Sequence, residues 1–193
     1  MPKKKSLKKT ADRFIAESTA IDEYVARHAG GEDASWTHEY AVLRLYRAFE
    51  QFVLEILVGA VNNDTTTLSS RTGIAFPKHL TDEVCEYLVV GDGYFDFRGR
   101  DGLIKTIKEF VPDGHYLVIA IKDAKYKDAL ERLSALRNYA AHGSYRAKAA
   151  ARRVVGQKKI MCAGDWLSTQ NRFSQINAKC RELAGEVKEA APY

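Results

Sequence analysis

The sequence predicts an all-α protein, an antiparallel bundle of helices into which shorter helices are inserted. Three observations predict this fold class. Apolar residues recur at spacings of three, four and seven over much of the chain, which is the period of an amphipathic helix. One long segment, 36–61, is apolar on two faces, as is typical of a helix in the middle of a bundle. A third segment is followed by Gly143, where the C-terminus of a helix favours glycine.

Two helices are predicted in the N-terminal part of the chain. Apolar residues from Leu7 to Val25 follow a helical spacing, and the pair Gly30-Gly31 ends this first helix. Ser35 is the predicted N-cap of the second helix, 36–61. This second helix carries the strongest apolar pattern in the sequence, so we expect it to lie at the centre of the fold.

Shorter elements are predicted between residues 62 and 121. The stretch 62–72 is rich in Asn, Thr and Ser and is expected to be a polar loop. Short helices are predicted at 82–90 and at 103–110. The apolar run 115–121 fits either a buried strand or the start of a helix, since six apolar residues do not distinguish the two.

Helices also dominate the C-terminal part. Segment 125–142 has a clear apolar face and ends at Gly143. A basic, alanine-rich segment, 145–155, follows it and leads to a turn near Gly156. The last helix is predicted to run without interruption over 165–190.

The chain length favours a single domain. We expect a basic N-terminal tail, 1–10, and one helical domain, 11–193. The longest apolar stretch is far shorter than a membrane span needs, and the basic N-terminus lacks the apolar core of a signal peptide. Three cysteines without a CxxC pair favour a reducing cytoplasm, and no residue set has the spacing of a metal site. No cofactor is expected.

Positive charge is concentrated in two regions. The net charge is +5, but residues 1–10 hold five lysines and no acid. Segment 132–164 contains eight basic residues and no acid over 33 positions. An acid-free run of this length favours nucleic acid or phosphate as the partner, because phosphates attract clustered cations. The predicted RNA-binding residues are Arg132, Arg146, Lys148, Arg152 and Arg153.

The candidate catalytic residues lie at the end of helix 125–142. Arg137 offers a planar fork of donors for phosphate oxygens, and His142 is of the type that exchanges protons near pH 7. Asn138 could orient either group. On an ideal helix, Arg137 and His142 lie roughly 140° apart. They converge only if the helix ends before His142, or if a second copy of this segment completes the site.

The run from Arg137 to His142 resembles the Arg-x4-His motif of the HEPN superfamily, the higher eukaryotes and prokaryotes nucleotide-binding domains. In that family the position after Arg is typically polar, which Asn138 matches. Segment 49–52 and the dipeptide Asp165-Trp166 resemble the branch of RiboL-PSP-HEPN proteins. The similarity extends over about residues 36–187. It implies a helical bundle of HEPN type.

The resemblance also implies an activity. HEPN proteins of this kind are metal-independent endoribonucleases, often toxins or antiphage-defence effectors, and act as homodimers with the site at the interface. Carried over, Arg137 would stabilise the charged phosphorane and His142 would be the acid or base, with Asn138 positioning one of them. A neutralising antitoxin or a defence partner is also implied.

Two further residues are possible supports of the site. Glu50 is an acid in an apolar stretch that either pairs with Arg137 from the neighbouring helix or is simply exposed. One subgroup of the family carries a modified Tyr two residues after the His, where this chain has Ser144, with Tyr145 one place later.

A second function class stays open on the sequence alone. A non-catalytic helical module that binds RNA, a nucleotide or a protein would share the basic segments and the fold. Such a module would tolerate the loss of His142, whereas a nuclease would not.

Overall fold

The computed structural model describes residues 6–192, and over this range the protein is all-helical, as predicted. Residues 1–5 of the expected basic tail, which include Lys3, Lys4 and Lys5, lie outside the described range. The described part contains ten α-helices and no strand. These are α1 (Leu7–His28), α2 (Ala34–Asn63), α3 (Thr66–Thr72), α4 (Asp82–Val90), α5 (Gly99–Lys108), α6 (Tyr116–Lys122), α7 (Lys127–His142), α8 (Tyr145–Val155), α9 (Ala163–Ser168) and α10 (Arg172–Ala190).

Helix α2 forms the centre of the bundle, which confirms the interpretation of its two apolar faces. It packs against α1, α4, α7, α9 and α10, and nearly every residue of its second half is buried. Gly59 lets α1 approach closely, because a Cβ atom there would lie 2.3 Å from the Leu7 side chain. Burial on all sides explains why α2 is apolar around most of its circumference.

Helix α1 begins four residues before the expected domain boundary. The Ser6 side chain accepts a hydrogen bond from the Lys9 backbone N–H and caps the helix. Leu7 is fully buried in the core, while Lys8 and Lys9 on the same turn are exposed. The basic segment is therefore partly a helical turn anchored by an apolar residue.

The segment 62–72, expected to be a loop, contains helix α3. Thr and Ser have modest helix propensity, but Leu68 is 2% exposed and anchors the turn in the core. The Asp64 carboxylate accepts a hydrogen bond from the Thr66 N–H at 2.9 Å and starts the helix. Burial of one leucine thus overrides a local preference for loop.

The structure decides between the two alternatives for one short element and moves the predicted start of another. The ambiguous run 115–121 is helical, since it forms most of α6, with His115 as the N-cap. Helix α5 starts at Gly99 rather than near residue 103. Side chains of α7 provide the reason, because Ser134 and Glu131 accept hydrogen bonds from the Gly99 and Arg100 backbone N–H groups at 3.2 and 2.9 Å.

The prediction of one unbroken C-terminal helix is wrong, because the chain breaks between α9 and α10. Gln170 and Asn171 adopt φ angles of +56° and +54°, in the left-handed region. Arg172 holds the break through hydrogen bonds to the Trp166 carbonyl at 3.2 Å and the Thr169 hydroxyl at 2.7 Å. No Gly or Pro marks this site in the sequence, so the side-chain contacts determine it.

The prediction of Ser35 as N-cap of the second helix is also wrong. Helix α2 begins at Ala34 with Asp33 at the N-cap position. The Ser35 hydroxyl instead lies 2.9 Å from the Cys162 sulfur, just before α9. Ser35 therefore serves tertiary packing between α2 and α9 rather than capping.

Candidate active site

Helix α7 carries the Arg137 to His142 motif, and its buried face determines where each motif residue lies. Leu130 and Ser134 are buried and occupy the same face as Arg137, at positions i, i+4 and i+7. This face packs toward α2 and α5. Arg137 is consequently half-buried at the outer end of a core-facing stripe, an unusual position for a charged residue.

The guanidinium of Arg137 is held by two neighbours. Its Cζ atom lies 4.2 Å from the centroid of the Tyr46 ring on α2, a cation–π contact. Its Nη1 atom donates a hydrogen bond to the Asn138 side-chain oxygen at 2.7 Å. Within residues 6–192, no carboxylate lies within 4.0 Å of this guanidinium. Most of its five N–H donors therefore stay available to an anionic ligand.

Tyr46 packs its ring against Arg137, and neighbouring residues hold both its hydroxyl and its ring in place. The Tyr46 hydroxyl lies 2.8 Å from an Asp96 carboxylate oxygen and 3.0 Å from the Phe97 carbonyl oxygen. The rings of Tyr46 and Phe97 stack with centroids 5.1 Å apart. Burial, followed by the hydrogen bond and the negative charge of Asp96, raises the pKa of Tyr46 well above its ordinary value. The phenol therefore stays neutral and presents an intact ring face to the cation.

Glu50 lies one turn after Tyr46 on α2. From the sequence we expect it either to pair with Arg137 or to be exposed, and its position is between these two alternatives. It is partly buried, and it forms no ion pair within 4.0 Å among the described residues. Burial raises the pKa of Glu50 above its ordinary value, while the positive charge of Arg137 acts in the opposite direction. Glu50 thus interacts with Arg137 through the local field without a direct salt bridge.

His142 is exposed at the last position of α7. The helix continues through this residue, and Gly143 then ends it with a φ of +57° and an N–H bond to the Tyr139 carbonyl at 3.0 Å. The helix therefore does not end early enough to bring His142 round to Arg137. At about 100° per residue, the two side chains leave α7 roughly 140° apart. Of the two routes to convergence, only a second copy of the segment is left.

Tyr145 and the basic residues of α8 follow directly. Ser144 caps α8 through the Ala147 N–H, and Tyr145 at the first helical position is 85% exposed. Arg146 and Arg153 are exposed, and they lie on a different face of α8 from the buried Ala151. Within residues 6–192, none of the four basic side chains of α8 forms an ion pair with a carboxylate; they are Arg146, Lys148, Arg152 and Arg153.

Lys148 and Arg152 are partly buried on α8, where the Lys148 ammonium lies 5.8 Å from the Tyr139 ring. Arg132, the remaining predicted RNA-binding residue, is separated from this set. It lies on α7 beside Trp166 of α9, with its guanidinium 5.8 Å from the indole centroid and 3.6 Å from the Asp128 carboxylate. The acid-free segment thus contributes to two different surfaces.

Sequence reasoning missed Tyr46 and Asp96 as parts of the site. In the sequence, Tyr46 is one of many apolar residues of segment 36–61, and Asp96 lies in a loop 50 residues away. The spacing of Tyr46 and Glu50, one helical turn apart, was the only signal that could have joined Tyr46 to the candidate residues.

Comparisons with protein-family models, with curated proteins and with solved structures give no match to this chain. No helix among the described residues is both long and apolar enough to cross a bilayer. The resemblance to HEPN proteins therefore stays a prediction from the motif.

Proposed function

We propose that this chain is a metal-independent endoribonuclease of HEPN type. The observation that carries the proposal is the chemistry at the end of α7, where a half-buried arginine without a direct carboxylate partner shares an acid-free segment with an exposed histidine. A fixed guanidinium is suited to a phosphate that gains negative charge during the reaction. An exposed imidazole can reach a substrate proton.

The reaction would be an internal transfer within RNA. A ribose 2′-oxygen attacks the adjacent phosphorus, the bond to the 5′-oxygen of the next nucleotide breaks, and a 2′,3′-cyclic phosphate and a 5′-hydroxyl result. Arg137 would stabilise the phosphorane oxygens through its free N–H donors. His142 would take the proton from the 2′-hydroxyl or give one to the leaving 5′-oxygen. Asn138 would keep the guanidinium in place through its hydrogen bond.

The proposed active form is a homodimer with shared sites. Because Arg137 and His142 lie on different sides of α7, the arginine of one protomer would act with the histidine of its partner. The exposed Tyr145, three residues beyond His142, would lie near such an interface. This arrangement uses both groups without any distortion of α7.

Single-stranded RNA is the proposed substrate, and α8 would bind it. Its four unpaired basic side chains start four residues after His142, so they can contact phosphates next to the cleavage point. Unpaired strands can adopt the in-line geometry that attack by the 2′-oxygen requires. Cleavage of host or phage RNA would make the protein a toxin or an antiphage effector.

The test is cleavage of a labelled single-stranded RNA in the presence of EDTA, with analysis of the product ends. We expect cyclic phosphate ends, and a loss of about 100-fold or more in rate for His142→Ala. His28→Ala is a matched control, because His28 is also an exposed histidine at the last position of a helix. Intact RNA with the wild-type protein, or equal rates for both variants, would contradict the proposal.

A non-catalytic RNA-binding module is the second candidate, and the separation of Arg137 from His142 within one chain favours it. Such a module would bind RNA with a salt-dependent affinity through α8 and leave it intact. His142→Ala would then leave its affinity unchanged, while Arg146→Gln would weaken binding.

A further inference from the structure

A cleft of about 620 Å³ lies on a different face of α7 from Arg137. It is bounded by α7, the C-terminal end of α8, helix α9 and helix α10. Arg132 of α7 lines it, and five positions separate Arg132 from Arg137, which places them roughly 140° apart around the helix. The cleft is therefore a surface distinct from the candidate active site. Its volume is in the range of sites that bind small molecules.

Trp166 forms an aromatic wall of this cleft. The residue is 7% exposed, and arginines lie near its ring, Arg172 with its guanidinium carbon 4.6 Å from the centroid and Arg132 at 5.8 Å. The indole Nε1–H is buried and has no hydrogen-bond partner among the described residues. The Nε–H of Arg132 is also buried and also has no hydrogen-bond partner among the described residues. Two buried donors without an acceptor therefore lie beside one cleft, which is uncommon in folded proteins.

The charge of the cleft is unbalanced at its Trp166 end. Arg172 donates to the Trp166 carbonyl, to Thr169 at 2.7 Å and to Gln170 at 2.8 Å, and all three acceptors are uncharged. Arg172 is thus fixed in place, and no carboxylate within residues 6–192 pairs with it. The one acid that lines the cleft, Asp128, is exposed and 3.6 Å from Arg132.

The other end of the cleft differs, because its cations are already neutralised. Lys125 pairs with Glu182 at 3.0 Å and also with Glu186, and Lys179 pairs with Glu182 at 2.7 Å, so two carboxylates face the two lysines. An anion entering the cleft would therefore be drawn to Arg132 and Arg172. Two planar guanidinium groups with free donors match the oxygen atoms of a phosphate.

We propose that this cleft binds a nucleoside monophosphate. The phosphate would contact Arg132 and Arg172, and the base would lie against the apolar wall of the cleft. Side-chain amides of Gln157 and Gln175 line the same space and offer donors and acceptors to a base edge. A phosphorylated planar ring satisfies the cations, the amides and the apolar lining together, whereas phosphate alone uses only the cations.

The experiment uses Trp166 as its own reporter. The other tryptophan, Trp36, is 75% exposed, so Trp36→Phe leaves Trp166 as the single emitter at little cost in stability. This variant is titrated with AMP, with UMP and with inorganic phosphate while Trp166 fluorescence is recorded. We expect a saturable change with at least one nucleotide, at a concentration at least fivefold lower than any change with phosphate.

Substitutions identify the cleft as the place of binding. Arg132→Gln in the Trp36→Phe background is expected to weaken nucleotide binding about tenfold, and Arg132→Lys, which keeps the charge without the planar fork, by less. Lys105→Gln removes an exposed cation of α5 outside the cleft and should change the affinity less than twofold.

Three results would overturn the proposal. The first is no saturable change in Trp166 emission with any nucleotide up to about 10 mM, a range that covers ligands with a millimolar Kd. The second is equal affinity for phosphate and nucleotides, which indicates an anion site only. The third is equal weakening by Arg132→Gln and Lys105→Gln, which indicates unspecific attraction to a basic protein.

Discussion

Replacement of Tyr46 tests whether its ring holds Arg137 in place. The ring of Tyr46 carries the guanidinium at 4.2 Å, and its hydroxyl contacts Asp96 and the Phe97 carbonyl. Tyr46→Phe removes only the hydroxyl and keeps the ring. Tyr46→Leu removes the ring as well and leaves the cation of Arg137 on an aliphatic surface.

The magnitudes follow from these contacts. Tyr46→Phe leaves the Phe97 carbonyl without its donor and should lower the free energy of unfolding by about 1–2 kcal/mol. In a protein of this size, each 1 kcal/mol corresponds to about 2–4 °C in Tm. The half-buried cation–π contact is worth about 1 kcal/mol. We therefore expect Tyr46→Leu and Arg137→Ala to be coupled by about 1 kcal/mol in a double-mutant cycle.

The assay is urea unfolding of the wild type, the single variants and the double variants, followed by circular dichroism. The cycle of Tyr46→Phe with Arg137→Ala is the matched control, because the ring is kept in that variant and little coupling should appear. If the Tyr46→Leu cycle is additive within about 0.3 kcal/mol, the ring does not hold Arg137 and the reasoning is refuted.

Two other predictions concern packing and pH. Gly164→Ala should lower the free energy of unfolding by about 3 kcal/mol, because its Cβ would lie 2.0 Å from the Ser35 carbonyl oxygen, a backbone atom that cannot move aside. Gly143→Ala should lower the free energy of unfolding by only about 1 kcal/mol, since its φ of +57° is strained for alanine but the space around it is open. Equal losses of unfolding free energy for Gly164→Ala and Gly143→Ala in urea would contradict this difference. Glu50→Gln should change the pH dependence of stability: burial raises the pKa of Glu50, so the folded state binds its proton more tightly than the unfolded state does. The wild type should therefore lose stability relative to the variant as the pH rises from the ordinary Glu pKa through the raised one, and a constant or opposite Tm difference would show that burial does not dominate.

The main helices of the fold could be predicted from the sequence because each has a continuous apolar stripe. α1, α2, α4 and α7 all appear close to their expected bounds. The errors lie where tertiary contacts outweigh local pattern. Leu68 draws a polar stretch into α3, and Arg172 stabilises a break that no Gly or Pro marks. Neither contact has a signature in the neighbouring sequence.

The candidate site was predictable in part. The motif identified Arg137, Asn138 and His142 as one segment, and the structure supplies the hydrogen bond between the first two. The role of Tyr46 could not be derived, because it depends on which face of α2 meets α7. The angle between Arg137 and His142 could be calculated, but only the structure excludes an early end of α7.

The measurement that tests the central claim most directly is activity of a purified mixed dimer. Arg137→Ala and His142→Ala protomers carry different tags, are coexpressed and are isolated together by two affinity steps. If the arginine of one protomer acts with the histidine of its partner, this dimer holds one complete site and one empty site. We predict about half the wild-type rate of RNA cleavage, while each variant alone is inactive. A folded mixed dimer as inactive as its parents would contradict the shared site.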